Sequence, residues 1–535
     1  MARRHVAPAD FVAGDLRLRA CGRLARNGGP TFLEATAKLG PVQATNHQPT
    51  TLGELKQSGW RQKRVKQELR DNLIAALTNQ TPLFPGIVGY DRTVLRDVQN
   101  AVLSRHDFIL LGLRGQAKTR ILRSLTALLD EWLPAIDGCE VRDDPLAPIC
   151  VACRARVARD GDATRITWIH RDQRYHEKLA TPDVTIADLI GDLDPIKAAA
   201  QKTSLADPEV VHFGLLPRSN RGIFAINELP DLPPRIQVGL LNILEEGDVQ
   251  IRGFPLRLEL DLALCFSANP EDYTHRGSII TPLRDRIASQ ILTHYPKQLA
   301  DAQAITDQES WVERGAAVEV RTPPWLRRAI EEVAIQGRAS EFVDQSSGVS
   351  ARLSIALYES VVSNAERRAL RIGSKHVVAR AADLLGAGSA VHGKVELVYE
   401  GEREGPAKVA QHLIGKALKA VFDEVAPGPS RIEKSSKQDM DRFDRVLAHF
   451  QDGGFVDLAD DLANAELLGR LTAVGGLREL TVELLHPEGD EELAAAMEFV
   501  LEGLHQNAMV AREQLLDGRV YRDSFDEMVR GLQQE

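Results

Sequence analysis

The spacing of hydrophobic residues changes along the chain and divides it into regions of different predicted structure. Apolar positions at helical spacing begin near Leu52 and continue through Leu77. Pro82 and Pro85 then interrupt the pattern, and short apolar runs alternate with helical segments over residues 85–295. Helical spacing dominates the second half of the chain. We therefore expect an α/β region followed by mainly helical structure.

Two segments lack such spacing. Residues 1–50 are rich in Gly, Ala and Arg without sustained periodicity, and they predict a loosely ordered N-terminal extension. Residues 426–437 carry Pro, Gly and Ser, which predict a linker or an exposed loop. No internal repeat is visible. The helices predicted in the second half include Ala329–Ile335, Leu353–Ala369, Phe443–Phe450 and Leu493–Leu516.

A glycine-rich loop separates a predicted strand from a predicted helix. The apolar run Phe108–Leu111 leads directly into Gly112-Leu-Arg-Gly115-Gln-Ala-Lys118-Thr119, and a helical pattern follows. In this context the loop amides and the helix N-terminus point at phosphate oxygens, the lysine adds positive charge, and the threonine hydroxyl can ligate magnesium. We predict a phosphate-binding loop made of Gly112, Gly115, Gln116, Ala117, Lys118 and Thr119.

One position in this loop departs from the usual pattern, because Ala117 stands where glycine is common. A single methyl group is tolerable if the residue already has helical dihedrals, so the prediction of a phosphate loop survives. The alternative is an ordinary glycine turn between a strand and a helix.

Further polar residues follow predicted strands downstream of the loop. The apolar strand Gly222–Asn227 ends at Glu228, and the strand Leu260–Phe266 runs into Ser267-Ala-Asn269-Pro270. Two arginine-bearing segments come later, Thr281-Pro-Leu-Arg-Asp285-Arg286-Ile and Ser350-Ala-Arg352. This order resembles the AAA+ ATPases, in which Walker A, Walker B, sensor 1, an arginine finger and sensor 2 follow one another.

The resemblance can be narrowed within that family. A predicted helix and the hairpin-like segment Val249–Leu258 lie between Glu228 and Asn269. They resemble the helix-2 insert group, which includes the magnesium chelatase ATPase subunit, MoxR-type ATPases and replicative minichromosome maintenance helicases. Segments 191–198 and 214–222 are most similar to the chelatase subunit. Upstream, Gly86-Ile-Val-Gly89 is similar to the opening segment of the family, which places Ile87 and Val88 near the adenine.

The resemblance covers residues 85–370 and implies an α/β fold, an AAA+ parallel-sheet core with a helical lid. An additional, mainly helical C-terminal region is expected after the lid. We divide the chain accordingly into the extension 1–50, a nucleotide-binding core 51–300, a lid 301–390 and an acidic helical region 391–535.

The same resemblance implies catalytic roles for five residues. Glu228 orients or deprotonates the attacking water, and Asn269 contacts that water or the γ-phosphate. Either Arg276 or Arg286 neutralises charge on the phosphoryl group bound to a neighbouring subunit, and Arg352 is the sensor 2 candidate. Because such an arginine acts in trans, the resemblance implies a ring, expected to have six subunits. A surface salt bridge is the alternative for each arginine, and a strand-end cap for Asn269.

The residue before Glu228 weakens the expected magnesium site. Asn227 stands where the family has an aspartate whose charge helps to hold the ion, so Asn227 and Thr119 offer only neutral oxygens. We expect weaker binding of magnesium with ATP, and slow but real hydrolysis. The alternative is a nucleotide-gated assembly scaffold with negligible turnover.

Three cysteines cluster between the two nucleotide motifs, where the chain is longer than a plain AAA+ core requires. We assign the excess to an insertion at about residues 137–182. Two thiolates of a Cys-x-x-Cys turn, a third cysteine and a histidine can share one tetrahedral zinc ion. An iron–sulfur cluster and ordinary reduced thiols are the alternatives. The candidate zinc ligands are Cys139, Cys150, Cys153 and His170.

The composition agrees with a large soluble protein. The 535 residues are 43% hydrophobic and 27% charged, which suits several globular domains. No apolar run approaches the roughly 18 residues that span a bilayer, and no signal core follows the N-terminal arginines. Five cysteines are too few for a disulfide framework in such a length, so a reducing cytoplasm is the expected compartment.

The charge distribution bears on the partners. The net charge is −10, and residues 456–535 alone hold 18 acidic residues against six arginines. This acidic end repels nucleic acid and suits a basic protein partner, although a solvated helical surface would look the same. A nucleic-acid translocase is therefore the less favoured function. We expect an ATP- and magnesium-dependent ring motor of the magnesium chelatase or MoxR type, which remodels a protein client or assists metal insertion. The resemblance also implies a partner with a von Willebrand factor A domain.

Overall fold

The computed structural model describes residues 48–193, 211–250, 257–269, 277–315, 318–426, 437–515 and 518–524. Most of the predicted N-terminal extension and of the predicted linker lies outside these residues, as does Arg276. Within the described residues, no helix is both long enough and apolar enough to cross a bilayer.

The first part of the described chain alternates strands and helices, as the hydrophobic pattern predicts. Its strands are β1 (Phe108–Leu111), β2 (Trp132–Ile136), β3 (Ile166–His170), β4 (Tyr175–Leu179), β5 (Gly191–Leu193), β6 (Val211–Phe213), β7 (Gly222–Asn227), β8 (Asp248–Gln250), β9 (Arg257–Glu259), β10 (Leu262–Ala268) and β11 (Ser289–Leu292). Its α-helices are α1 (Leu52–Gln57), α2 (Val65–Thr78), α3 (Val94–Leu103), α4 (Lys118–Ser124), α5 (Val151–Asp160), α6 (Ile186–Leu189), α7 (Leu215–Arg218), α8 (Pro234–Gly239), α9 (Leu241–Glu246) and α10 (Thr281–Arg286).

Five parallel strands form the central sheet, in the order β11-β1-β10-β7-β4. Phe108 of β1 lies opposite Cys265 of β10 on one side and Ser289 of β11 on the other. Parallel strands covered on both faces read as continuous apolar runs, and every residue of β7 is buried. The predicted α/β core with a parallel sheet is confirmed.

Alternate side chains of β7 enter two different hydrophobic cores, because successive residues of a strand point to opposite faces. Ile223 and Ala225 lie in a core with residues of α2, α3 and α4. Phe224 and Ile226 lie in the second core, together with the Cys-bearing insertion and the segment around α8 and α9. The sheet therefore separates the insertion from the helix that follows the glycine loop.

The insertion is built on an antiparallel pair, β2 with β3, and α5 lies between these strands in the sequence. The predicted insertion, residues 137–182, extends too far, because Tyr175–Leu179 is β4, the edge strand of the central sheet. Among the described strands it has one neighbour, β7, and its residues are at most half-buried, so it lacks the apolar run that marks the interior strands. The predicted hairpin after α9 is present as β8 and β9, in which Val249 lies opposite Leu258.

The second part of the described chain is mainly helical, as predicted. Its helices are α11 (Leu299–Glu309), α12 (Pro324–Ala339), α13 (Arg352–Ile372), α14 (Ala381–Leu385), α15 (Gly388–His392), α16 (Tyr399–Glu404), α17 (Pro406–Val425), α18 (Lys437–Gln451), α19 (Asn464–Thr472), α20 (Leu477–Leu485) and α21 (Gly489–Gln506). Its strands are β12 (Glu319–Arg321), β13 (His376–Val378), β14 (Val456–Ala459), β15 (Val510–Leu515) and β16 (Gly518–Asp523).

One hydrophobic core runs from Val318 to Tyr521, across the expected boundary between the lid and the C-terminal region. The predicted helix Leu493–Leu516 is too long: α21 ends at Gln506, and residues 510–515 form β15 of a three-stranded antiparallel sheet. Ala508, with φ of 58°, ends the helical conformation. The sequence concealed this end, because α21 is buried on all sides and the apolar pattern continues into the strand.

Candidate active site

The glycine loop lies between β1 and α4, at the carboxyl end of the sheet. A Cβ atom on Gly112 would stand 1.9 Å from Thr293 Oγ1 and 2.2 Å from Gln116 Oε1. Gly115 has φ of +71°, and a Cβ there would stand 1.9 Å from Ser350 Oγ. The side chains of Thr293, Gln116 and Ser350 therefore lie close against the two glycines, and Gly115 also has the left-handed backbone that favours glycine.

Ala117 has a left-handed backbone, with φ of 55° and ψ of 15°. The methyl group of Ala117 is expected to be harmless only if the residue has ordinary helical dihedrals. The structure does not meet this condition. For an L-residue this conformation costs roughly 1–2 kcal/mol. It is held by α4, since the Ala117 carbonyl accepts the first helical hydrogen bond from Ile121 N at 3.0 Å.

The side chain of Lys118 is buried inside the loop. Its relative exposure is 7%, and Nζ donates to the carbonyl of Gly112 and to that of Leu113 at 3.1 Å. A third hydrogen bond goes to Oδ1 of Asn269, which follows the neighbouring strand β10. A buried ammonium group among loop carbonyls places a positive charge where the phosphates of a nucleotide would need it.

Glu228 and Asn269 lie side by side because they follow the paired strands β7 and β10. Asn269 Nδ2 donates to Glu228 Oε2 at 2.9 Å. The backbone of Glu228 is left-handed, with φ of 55° and ψ of 50°, and its N–H donates to Ser267 Oγ at 3.4 Å. Residues held in such strained conformations concentrate at functional sites, where the surrounding structure fixes a side chain in one direction.

The two candidate magnesium ligands also meet. Thr119 Oγ1 lies 3.5 Å from Asn227 Oδ1. Asn227 Oδ1 also accepts a hydrogen bond from Ser267 Oγ at 3.1 Å. Magnesium prefers such oxygen ligands, so the donor set fits the ion. Neither Thr119 nor Asn227 carries a negative charge, however, and Glu228 is the adjacent carboxylate.

The opening segment with Ile87 and Val88 lies beside the helix of the glycine loop. Ile87 is buried and Val88 is half-buried. Gln308 of α11 donates to the carbonyl of Gly86 at 3.0 Å, and a Cβ on Gly86 would stand 2.7 Å from the guanidinium of Arg120. The predicted adenine-side residues are thus held between α4 and α11, close to the loop.

Tyr90 joins this segment to the glycine loop and was not foreseen from the sequence. Its hydroxyl donates to the carbonyl of His294 at 2.6 Å and lies 3.2 Å from that of Gln116. Burial raises the pKa of Tyr90 to about 12, so the hydroxyl remains a donor at neutral pH. The Thr293 hydroxyl contacts the same loop residue, because it donates a hydrogen bond to Gln116 Oε1 at 2.5 Å.

Thr293 could have been found from its place at the end of β11, the neighbour of β1. Ser350 and Ser267 lie within the motifs quoted from the sequence, but the motifs do not predict their contacts. Ser267 lies two residues before Asn269 and therefore points to the same face of β10 as Asn269. Tyr90 gave no signal beyond following the opening segment.

The candidate arginines occupy different surroundings. Arg286, at the end of α10, donates to Glu245 of α9 at 2.6 and 2.8 Å and is about one-third exposed. Arg352 is exposed at the first position of α13, next to Ser350, which touches the glycine loop. Within the described part of the chain, the Arg352 guanidinium makes no ion pair. The structure thus places Arg352 two residues after Ser350, which lies against Gly115 of the loop, and it pairs Arg286 with Glu245 of α9.

The three cysteines of the insertion lie together, but His170 is not with them. The Nδ1 atom of His170 lies 3.2 Å from Asp172 Oδ2, and its ring makes an edge contact with Trp132. His170 lies opposite Trp132 at one end of the β2–β3 pair, whereas Cys139 follows Ile136 at the other end. Residues 132 and 136 are four steps apart along the strand, so these ends are separated by roughly 13 Å. The histidine is therefore wrong as a ligand beside Cys139.

The sequence relates the chain to known proteins. The magnesium-chelatase 38 kDa subunit of Cereibacter sphaeroides is 26% identical over 238 residues, which are 43% of this chain and 64% of that subunit. The same subunit of Rhodobacter capsulatus is 28% identical over 223 residues, 41% of this chain and 58% of the relative. The match thus spans less than two thirds of either relative. No protein-family model matches the chain.

Among solved structures, a chain in the complex between the BchI and BchD subunits of magnesium chelatase is similar to 60% of this chain, and the match covers 98% of that one. The identity is 20% and the TM-score is 0.31.

Proposed function

We propose that this chain, an AAA+ ATPase of the magnesium chelatase type, binds ATP at the Gly112–Thr119 loop and hydrolyses it slowly as one subunit of a ring. The observation that carries the proposal is a continuous hydrogen-bonded path from Lys118 through Asn269 to Glu228. It joins the loop cation to the carboxylate at the same edge of the sheet.

Binding rests on the loop. The loop joins a strand to the N-terminus of α4, and the buried Lys118 supplies the charge that phosphates require. Ile87 and Val88 would line the adenine side, and Arg352 would approach the phosphates from the lid. When bound, magnesium would supply positive charge to the phosphates, with Thr119 and Asn227 as the residues that hold it.

Hydrolysis rests on Glu228. The left-handed backbone and the Asn269 amide fix its carboxylate, which then orients or deprotonates the attacking water. Asn269 contacts the Glu228 carboxylate on one side and Lys118 on the other. Binding of nucleotide to the loop would therefore affect the position of the Glu228 carboxylate through Asn269. Arg286, or Arg276 outside the described residues, would serve the site of the neighbouring subunit.

The partners follow from the relatives and from charge. We infer a hexameric ring that remodels a protein client, as a chaperone of the MoxR kind would, or that assists metal insertion in the cytoplasm. A partner with a von Willebrand factor A domain would join it. The acidic residues 456–535 would favour a basic surface on the client or on that partner.

A second candidate function is a nucleotide-gated scaffold with little turnover. It is favoured by one specific observation, the neutral Asn227 at the position that meets Thr119. Without that charge, binding of ATP could organise the ring while hydrolysis stays negligible.

Phosphate release measured for the wild type and for Glu228→Gln separates these functions. A motor requires wild-type turnover well above that of Glu228→Gln while both bind a fluorescent ATP analogue equally. A scaffold requires equal, near-zero turnover with intact binding. Turnover that rises with added DNA would instead indicate a translocase. Lys118→Ala is the control that should bind no nucleotide, because it removes the loop cation; retained affinity would refute the phosphate loop.

A further inference from the structure

Four metal-binding side chains meet where the insertion joins the core. The ligand atoms of Cys139, Asp143, Cys150 and Cys153 all lie within 4.8 Å of one another. Three of the four residues are buried, and Cys139 is partly buried. None of them is among the residues of the candidate nucleotide site.

Asp143 is the least expected member of this group. Its side chain is completely buried, and Oδ2 accepts a hydrogen bond from Cys150 N at 2.9 Å. Its other oxygen, Oδ1, is buried and has no hydrogen-bond partner among the described residues. Leaving a buried polar atom unpaired is unfavourable, and more so when the group is charged. A bound cation would remove this cost.

The backbone arranges the three thiols around the same point. Cys150 caps α5, and Cys153 N–H donates to Cys150 Sγ at 3.3 Å, which places both sulfurs at the first turn. Cys139 is brought in by a tight turn after β2, in which its N–H donates to Ile136 O at 3.2 Å. The N–H of Ile136 in turn donates to the carbonyl of Asp143 at 3.1 Å, so the turn and the carboxylate are fixed together.

The spacing suits a single ion. Tetrahedral zinc has zinc–sulfur distances of about 2.3 Å, which puts its ligand atoms roughly 3.8 Å apart. Separations below 4.8 Å are compatible with one such ion. An iron–sulfur cluster places several irons between its thiolates and needs a wider arrangement. Thiolate-rich sites also select zinc over magnesium or calcium.

We propose that Cys139, Asp143, Cys150 and Cys153 bind one structural Zn²⁺, with Asp143 as the fourth ligand. The ion would fasten the start of α5 to the turn after β2, on the face of the sheet that receives Phe224 and Ile226 of β7. The site is independent of ATP, so it stands or falls separately from the ATPase proposal. Structural zinc is coupled to folding, so its removal should loosen residues 137–165 first.

The first test uses the unmodified chain without a histidine tag, grown with both zinc and iron. Elemental analysis should find about one zinc per chain. Protein reconstituted with cobalt should show sulfur-to-cobalt charge-transfer absorption and the intense visible bands of a tetrahedral ion. Metal content near zero, or iron with cluster absorption in place of zinc, would overturn the proposal.

The second test identifies the fourth ligand. Asp143→Ala should weaken zinc binding by more than about tenfold in a chelator competition, whereas Asp143→Cys should restore it by replacing one anionic ligand with another. His170→Ala is the matched control and should leave zinc affinity unchanged. If His170→Ala weakened binding and Asp143→Ala did not, the proposed ligand set would be wrong. If a variant fails to fold, the cobalt spectrum of the wild type still shows whether the cysteine thiolates bind the metal.

Discussion

The side-chain amide of Asn269 donates a hydrogen bond to the carboxylate of Glu228 over 2.9 Å. The carbonyl oxygen of the same amide accepts from Lys118, so one small side chain contacts both the phosphate-loop cation and the candidate base. This arrangement follows from topology, because β10 lies between β1 and β7. A residue at the end of the middle strand is placed to touch the groups that follow both neighbours.

Asn269→Ala should therefore slow hydrolysis more than it weakens binding. We expect kcat for ATP to fall about 100-fold, because Glu228 loses the group that orients it. The affinity for a fluorescent ATP analogue should change less than about threefold, since Lys118 keeps its loop partners. The double variant Asn269→Ala/Glu228→Gln should be hardly slower than Glu228→Gln alone, because the two residues act as a unit. Fully additive losses would show that Asn269 acts without Glu228.

Asn227→Asp should lower the magnesium concentration needed for half-maximal ATPase activity. Thr119 Oγ1 lies 3.5 Å from the amide oxygen of Asn227. The substituted carboxylate would occupy the place of that amide and would add a negative charge to the magnesium site. Nucleotide affinity measured in a chelator, without magnesium, is the control and should not improve. Identical magnesium dependence of the two proteins would mean that Glu228 already supplies the missing charge.

Ala117→Gly should stabilise the nucleotide-binding core by about 1 kcal/mol, because glycine adopts the observed left-handed backbone without strain. Urea unfolding monitored in the core measures the change. Ala75→Gly, in the regular helix α2, is the matched control and should destabilise by about 1 kcal/mol. A loss of stability in Ala117→Gly would show that the methyl group makes contacts worth more than the strain.

Most of the arrangement of the candidate nucleotide site could be predicted from the sequence because each part is local. The loop, Glu228 and Asn269 each follow a short apolar strand, and parallel strands bring their carboxyl ends to one edge. The contact of Ser350 with Gly115 could not be predicted, since it depends on how the second half of the chain folds back onto the loop. The strain at Ala117 and Glu228 is likewise visible only in the backbone.

The errors have equally physical causes. Proximity in sequence predicts His170 beside the cysteines, but strand register places it at the far end of β2 and β3. Asp143 was overlooked because an isolated aspartate between cysteines carries no spacing signal. The strand β4 was counted as insertion because an edge strand is half-buried, and the end of α21 was missed because a fully buried helix shows no polar face.

Arg286 should act on the neighbouring subunit, and mixing two inactive variants can show it. Arg286→Ala should reduce turnover about 1,000-fold or more without loss of nucleotide binding. In mixed rings with Glu228→Gln, a subunit with an intact base can receive Arg286 from its neighbour, so activity should return. Arg284→Ala, an exposed arginine of the same helix, is the control and should stay active. If activity did not recover in mixed rings, either Arg276 would be the arginine that acts on the neighbouring subunit or Arg286 would act within its own subunit.

The ion pair between Arg286 and Glu245 should limit how readily Arg286 reaches the neighbouring subunit. Both side chains are partly exposed, and such pairs contribute at most about 1 kcal/mol. Glu245→Gln should release the arginine for its neighbour and raise turnover up to about fivefold, the equivalent of that free energy. Phosphate release at low protein concentration measures it. A lower turnover would mean that Glu245 positions Arg286 rather than retaining it.

The C-terminal region should depend on a buried carboxylate that ties α21 to the hairpin β15–β16. Glu502 is fully buried; it accepts from Arg512 at 2.6 Å and from the Tyr521 hydroxyl at 2.8 Å. Removing the charged partner of a buried ion costs about 3–5 kcal/mol, whereas losing a neutral hydrogen bond costs about 1–3 kcal/mol. Urea unfolding should therefore rank Arg512→Met as more destabilising than Tyr521→Phe, and the reverse order would contradict the pairing.

The same carboxylate sets a pH dependence. Burial alone would raise the pKa of Glu502, but the Arg512 charge and the hydrogen bonds outweigh it and hold the pKa below its usual value of 4.5. The folded state therefore binds this proton less tightly than the unfolded chain does. Its stabilising contribution is present above pH 4.5 and is lost as the pH falls through the lowered folded value. Glu502→Gln should flatten the acid limb of the stability profile, measured by urea unfolding between neutral and acidic pH. An unchanged slope would show that other carboxylates govern acid unfolding.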